Sequence, residues 1–137
     1  MRWYHGSTRR LKCLRPGNRI TPWKELAAAL AHKPTMLCPS DDNSVIHNGR
    51  QAGYLYQVRV DDELVDIVPY PYSDMDGEVE FINQRQMQVR LIAVLPAPTE
   101  EEADDMSEQL RRLMARQGAS SMPDPDVPGK LPERGKT

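Results

Sequence analysis

Residues 89–95 read Val-Arg-Leu-Ile-Ala-Val-Leu, the most apolar stretch of the chain, and Pro96 and Pro98 close it at once. A run this short reads as a central strand. No apolar segment approaches the roughly 20 residues that cross a bilayer. Nor does one of signal-peptide type follow the early arginines. A cytoplasmic protein without a membrane partner is therefore expected. With 137 residues, 39% of them apolar and 28% charged, the chain has the size of one globular domain and some excess.

A second strand is legible in Gly53-Tyr-Leu-Tyr-Gln-Val-Arg-Val60. Tyr54, Tyr56, Val58 and Val60 share one face and Leu55, Gln57 and Arg59 the other, the period-two pattern of a half-buried strand. Shorter strands are expected over residues 2–5, 11–14, 64–68 and 79–82, with turns at Gly6-Ser7, Pro16-Gly17-Asn18 and residues 74–77. Pro69 and Pro71 make residues 69–72 a rigid extended piece that cannot lie in mid-sheet.

Thr21 and Pro22 mark a helix start, as cap and first helical residue, and residues 23–32 follow with four alanines. Pro34 ends it. Residues 34–52 read as one long connection. Near the end of the chain, Thr99 and Glu102 form a capping box, acids lead and arginines follow. Ala103, Met106, Leu110, Leu113 and Met114 form a narrow apolar stripe with Gly118 as terminator. This amphipathic helix, 99–118, either packs on the sheet or serves a partner or dimer contact. Residues 119–137, with four prolines, read as a disordered tail.

The net charge of -2 hides an asymmetry: seven bases and no acid precede Glu25, whereas residues 61–80 hold eight acids and no base. A basic segment suits a phosphate-bearing ligand or nucleic acid. It also suits a solvated surface whose halves pair ionically. Cys13 and Cys38 lie in no metal-type spacing and read as free thiols. His5, His32 and His47 add no tight cluster, so no metal site is expected.

Trp3-Tyr4-His5-Gly6-Ser7 is the densest set of ligand-gripping residue types: a stacking face, a ring donor, a close backbone approach and a hydroxyl. It reads equally as an edge strand with a half-buried histidine. Followed by Leu14-Arg-Pro-Gly17, by residues 20–31 (Ile-Thr-Pro-Trp-Lys-Glu-Leu-Ala-Ala-Ala-Leu-Ala) and by Gly53-Tyr54, it resembles the small bacterial and phage ADP-ribosyltransferase-like proteins. The rifamycin ADP-ribosyltransferases are more distant relatives in that fold. The resemblance covers residues 1–98. It implies an α+β domain of split antiparallel sheets with an N-terminal-half helix, holding NAD as co-substrate between the sheets.

What the resemblance implies for the site is specific. His5 would bond a ribose, Gly6 and Ser7 the nicotinamide amide, and Arg9, Arg10 or Arg15 the pyrophosphate. Tyr4, Thr21, Trp23 and Tyr54 complete the binding set, Trp23 supplying the aromatic that the family places ahead of the helix. Gln84 or Gln86 stands where the family has an acid, and Glu80 lies close enough upstream to serve instead. The expected activity is mono-ADP-ribosyl transfer from NAD to an acceptor of unknown class. The alternatives are a weak or inactive relative that binds NAD, nucleotide or protein, and a nucleic-acid-associated protein.

Overall fold

The computed structural model describes residues 1–72 and 79–121, with the side chains of 117–121 excepted. The turn expected at 74–77 and the tail from residue 122 lie outside the described residues. The fold is α+β with antiparallel sheets and two helices. Its elements are β1 (Trp3–Ser7), β2 (Cys13–Leu14), β3 (Arg19–Ile20), α1 (Lys24–Ala31), β4 (Leu37–Pro39), β5 (Val45–His47), β6 (Gly53–Val58), β7 (Ile67–Pro69), β8 (Phe81–Asn83), β9 (Met87–Leu95) and α2 (Glu100–Ser121). A four-stranded sheet has the order β1-β6-β9-β2 and a three-stranded one β3-β8-β7, while β4 and β5 form a hairpin of their own.

In the larger sheet the apolar run at 89–95 pairs with β6 along its length, but β2 reaches only Met87 and Gln88, so on that side the expected central strand has no neighbour among the described residues, and Leu91 and Val94 are exposed. One face of that sheet meets the smaller sheet across a core of Trp3, Leu14, Ile20, Val58, Ile67 and Met87. Trp3 sets its ring edge against Phe81 of β8, centroids 5.1 Å apart. The other face receives α1. Leu55 is therefore buried as well as Tyr56 and Val58, and the clean half-buried alternation expected of this strand does not hold. A register irregularity between Leu55 and Tyr56 adds to the departure.

The alanines of α1 have a packing reason. A Cβ on Gly6 would run into the backbone of Ala27 and lie 2.8 Å from the Ala31 nitrogen. Helix and strand approach this closely because Gly6 has no side chain and the helix presents only alanine methyls there. Gly6 and Ser7 accordingly stay in β1, paired with Leu55 and Tyr54, and do not form the expected turn.

Thr21 is not the helix cap. Its backbone exchanges two hydrogen bonds with Tyr4 (2.8 and 3.0 Å), which holds it extended as a continuation of β3. Trp23 becomes the N-cap residue, with no side-chain cap bond, and the Thr21 hydroxyl accepts from the Trp23 N–H at 3.0 Å. Lys33, at φ 56°, ends the chain's helical course before Pro34.

The connection expected over 34–52 contains the β4–β5 hairpin. It forms a second core with Leu26, Ala29 and Val45, against which Trp23, Leu30, Leu37 and Val79 pack. The capping box at Thr99 and Glu102 closes reciprocally at 2.9 and 3.1 Å, and Ala103 and Leu110 of α2 are buried. Against the hairpin, that stripe has an intramolecular use. The helix passes Gly118 and is described to Ser121.

Candidate functional site

The two sheets are joined at the Tyr4–Thr21 bridge and diverge beside it. Alternation along β1 places Trp3 and His5 on the same face. Trp3 enters the core, whereas His5 lines a cleft of about 330 Å³. The cleft is walled by Tyr4, His5 and Gly6 of β1, the 17–21 segment, Ala27 and Leu30 of α1, and Tyr70, Glu80 and Ile82.

His5 Nδ1 donates to the Arg19 carbonyl at 2.7 Å. A carbonyl oxygen only accepts, so the proton sits on Nδ1 and the neutral ring keeps the Nε2 lone pair. Burial pushes the His5 pKa below its ordinary value. The carbonyl bond works against that shift, and the Arg19 charge adds to it. A neutral imidazole accepts a hydroxyl hydrogen bond through Nε2.

Glu80 lies one residue before β8 and is 7% exposed. Arg19 Nη1 reaches Glu80 Oε1 at 3.2 Å, while its guanidinium carbon stands 5.1 Å over the Tyr70 ring. One residue thus touches three walls of the cleft: its carbonyl fixes His5, and its side chain meets Glu80 and Tyr70.

The loop bearing Arg19 is held by Asn83, which is 1% exposed. Asn83 Oδ1 accepts the Asn18 N–H at 2.8 Å, and its Nδ2 donates to the carbonyls of Arg15 and Arg85 at 2.9 and 3.0 Å. Two backbone bonds, Gly17 N–H to Asn83 and Asn83 N–H to Asn18, complete the clip. The cleft wall is built from β8 outward.

Of the residues expected in the site, Tyr4, His5, Gly6, Thr21 and Glu80 come together in this cleft. The others lie elsewhere. Ser7 Oγ accepts the Arg9 N–H, and Tyr54 sits under Arg10, centroid 5.2 Å away. Arg15 is exposed. Trp23 packs into the second core, its Nε1 buried with no partner among the described residues. Gln84 and Gln86 are exposed on the far side of β8, and Gln86 borders a separate hollow with Cys13, Arg59 and Arg85. The cleft's aromatic from outside β1 is Tyr70, not Trp23.

The sequence marks neither Arg19 nor Asn83 as a site residue, and Tyr70 belongs to a run with Tyr54, Tyr56 and Tyr72 that reads as base-stacking or, more readily, as core and rim of a sheet. Arg19 had one available signal, membership of the basic segment, while Tyr70 was hidden among alternating tyrosines and prolines. Asn83 carried none. Neither Cys13 nor Cys38 is in a disulfide among the described residues. Among the described residues no His, Cys, Asp or Glu group is arranged to hold a metal, and no helix is long and apolar enough to cross a membrane. No family model matches the chain, and no curated protein or solved structure matches it either.

Proposed function

We propose that the chain is an NAD-dependent mono-ADP-ribosyltransferase of the split-sheet ADP-ribosyltransferase type, moving ADP-ribose to an acceptor with release of nicotinamide. The observation that carries this reading is the meeting of His5 and Glu80 in one cleft between two antiparallel sheets. NAD supplies an ADP-ribosyl group whose bond to nicotinamide leaves positive charge on the ribose as it breaks. Neutral His5 accepts a ribose hydroxyl through Nε2. The Glu80 carboxylate offers the negative charge that such a transition state needs. The volume of about 330 Å³ suits the nicotinamide and its ribose.

The direct test is incubation with NAD labelled in nicotinamide. Release that vanishes in His5→Ala supports the transferase; saturable NAD binding without release removes it. One observation favours a second reading, a relative that binds NAD or a nucleotide without turnover. Arg19 sets its positive charge against the very carboxylate that would face the ribose cation.

A further inference from the structure

We propose that the chain pairs with a second copy of itself, the acidic turn over residues 61–66 of each copy seating Leu64 and Val65 in an arginine-rimmed groove of the other. Such pairing does not depend on what the cleft binds. The turn stands just before β7 and carries Leu64 95% and Val65 67% exposed, yet it is firmly held. The Asp62 carbonyl accepts the Val65 and Asp66 N–H groups at 3.2 and 2.8 Å, and Asp66 Oδ2 accepts the Asp62 N–H at 2.9 Å. Arg85 fastens Asp61 and Asp66 from outside the turn, and Trp3 Nε1 donates to Glu63 at 3.1 Å. The apolar tip is thus shaped before a partner arrives, which lowers the ordering cost of docking.

A groove of about 460 Å³ adjoins the turn, walled by residues 1–3, 57–60 and 88–90. Trp3 and Val58 are buried and Val60 and Val89 half-buried in its floor, whereas Arg2, Arg59 and Arg90 are exposed at its rim. The charges left over on turn and groove match. Arg59 and Arg85 already hold Asp61 and Asp66. Among the described residues Asp62 and Glu63 meet only neutral donors, the Leu64 N–H and the Trp3 indole. Arg2 and Arg90 meet no carboxylate there, Arg90 donating to the Gln57 side-chain oxygen at 2.8 Å. An apolar tip with two spare anions is the complement of an apolar floor with two spare cations.

Val60 of the groove runs directly into Asp61 of the turn, and Trp3 of the groove bonds Glu63. Because turn and groove are neighbours, one two-fold contact engages both pairs, and the assembly closes as a dimer rather than a filament.

Sedimentation velocity on the full chain tests this. At low salt a dimer should form with rising concentration and loosen as salt is added. Leu64→Asp, at a position that the fold leaves in solvent, should weaken it about tenfold or more. Arg90→Glu and Glu63→Arg should each weaken self-association about as much. An equimolar mixture of those two should restore it, because each turn then meets a groove of opposite charge, and restoration shows that both variants fold. A chain that stays monomeric up to about 1 mM overturns the proposal. So does a dimer unmoved by Leu64→Asp, and so does a mixture that associates no better than its parts.

Discussion

The β7–β8 ladder has an arginine–acid constellation at each end, and the two are built differently. Beyond one end, Arg85 donates to Asp66 at 2.9 Å and to Asp61 at 2.6 Å, and Arg59 reaches Asp61 at 3.0 Å. Asp66 further accepts the Asp62 N–H at 2.9 Å. At the other end, the Tyr70 N–H bonds the Glu80 carbonyl, and Arg19 meets Glu80 beside an open cleft. Both buried acids face a guanidinium. At the Arg85 end the charges bind one another into a network that fastens the loop before β7. At the Arg19 end an arginine about as exposed as Arg85 meets a single buried acid and the Tyr70 ring at the cleft where His5 lies. Neither charge pairing nor volume separates the two ends, since the Arg85 end borders a hollow of about 380 Å³ and the Arg19 end a cleft of about 330 Å³; what differs is that two carboxylates hold Arg85, whereas Arg19 meets one carboxylate and a tyrosine ring.

Several experiments break or sharpen this contrast. The largest effect is expected at the cleft: Glu80→Gln should lower nicotinamide release about 10²–10³-fold, the usual cost of one electrostatic stabiliser, with little change in melting temperature. Retention of full activity would remove Glu80 from the mechanism.

Next comes the clip shared by both ends. Asn83→Ala leaves the Asn18 N–H and the Arg15 and Arg85 carbonyls without their partner, and should cost about 3 kcal/mol in denaturant unfolding. A loss below about 1 kcal/mol would show that water replaces these bonds.

Acid titration separates the ends by pH. The hydrogen bond from Arg85 chiefly, with that from the Asp62 N–H, holds the Asp66 carboxyl below its ordinary 3.8, and Arg85 and Arg59 do the same for Asp61. The folded pKa values lie below the unfolded ones, so this stabilisation is complete above about pH 4 and is lost as pH falls through the folded values. Arg85→Gln should flatten that acid limb.

His5 acts in a higher window, because burial lowers its pKa from 6.5. The unfolded state binds the proton first as pH falls below 6.5, so stability declines there until the folded value is reached. His47, lowered by burial and by stacked His32, contributes in the same window. His5→Gln should therefore reduce the slope between pH 6.5 and the folded values without abolishing it.

The smallest effect on stability is expected from Arg19→Gln, under about 1 kcal/mol for a half-exposed pair. A larger loss would make the cleft pair as structural as its counterpart.

Much of the architecture was legible in local pattern. Residues 89–95 announced a strand by their apolarity but not that β2 stops short of them, residues 53–58 announced a strand by alternation, and Thr99 with Glu102 announced the start of α2 by a capping box that needs only four consecutive residues. What failed was whatever depended on a partner distant in sequence. Thr21 has the residue type of a cap, yet pairing with Tyr4 claims its backbone first. Val45 and Leu37 sit in short segments whose strand character comes from each other and from α1, not from their own periodicity. Leu55 is buried because a helix covers the face that alternation assigned to solvent.

The same division runs through the cleft. The residue types by themselves singled out His5 and Gly6, a histidine beside glycine on a strand, whereas Glu80, with Gln84 and Gln86, was named only by the family resemblance. Only the tertiary structure decided that His5 and Glu80 line one cavity, that Gln84 and Gln86 lie outside it, and that Arg19 stands between the acid and Tyr70. The physical reason is that chemical type is carried by single residues, whereas proximity is set by strand register. Asn83 fixes that register across more than sixty residues of chain, through hydrogen bonds to backbone groups that every residue type presents alike.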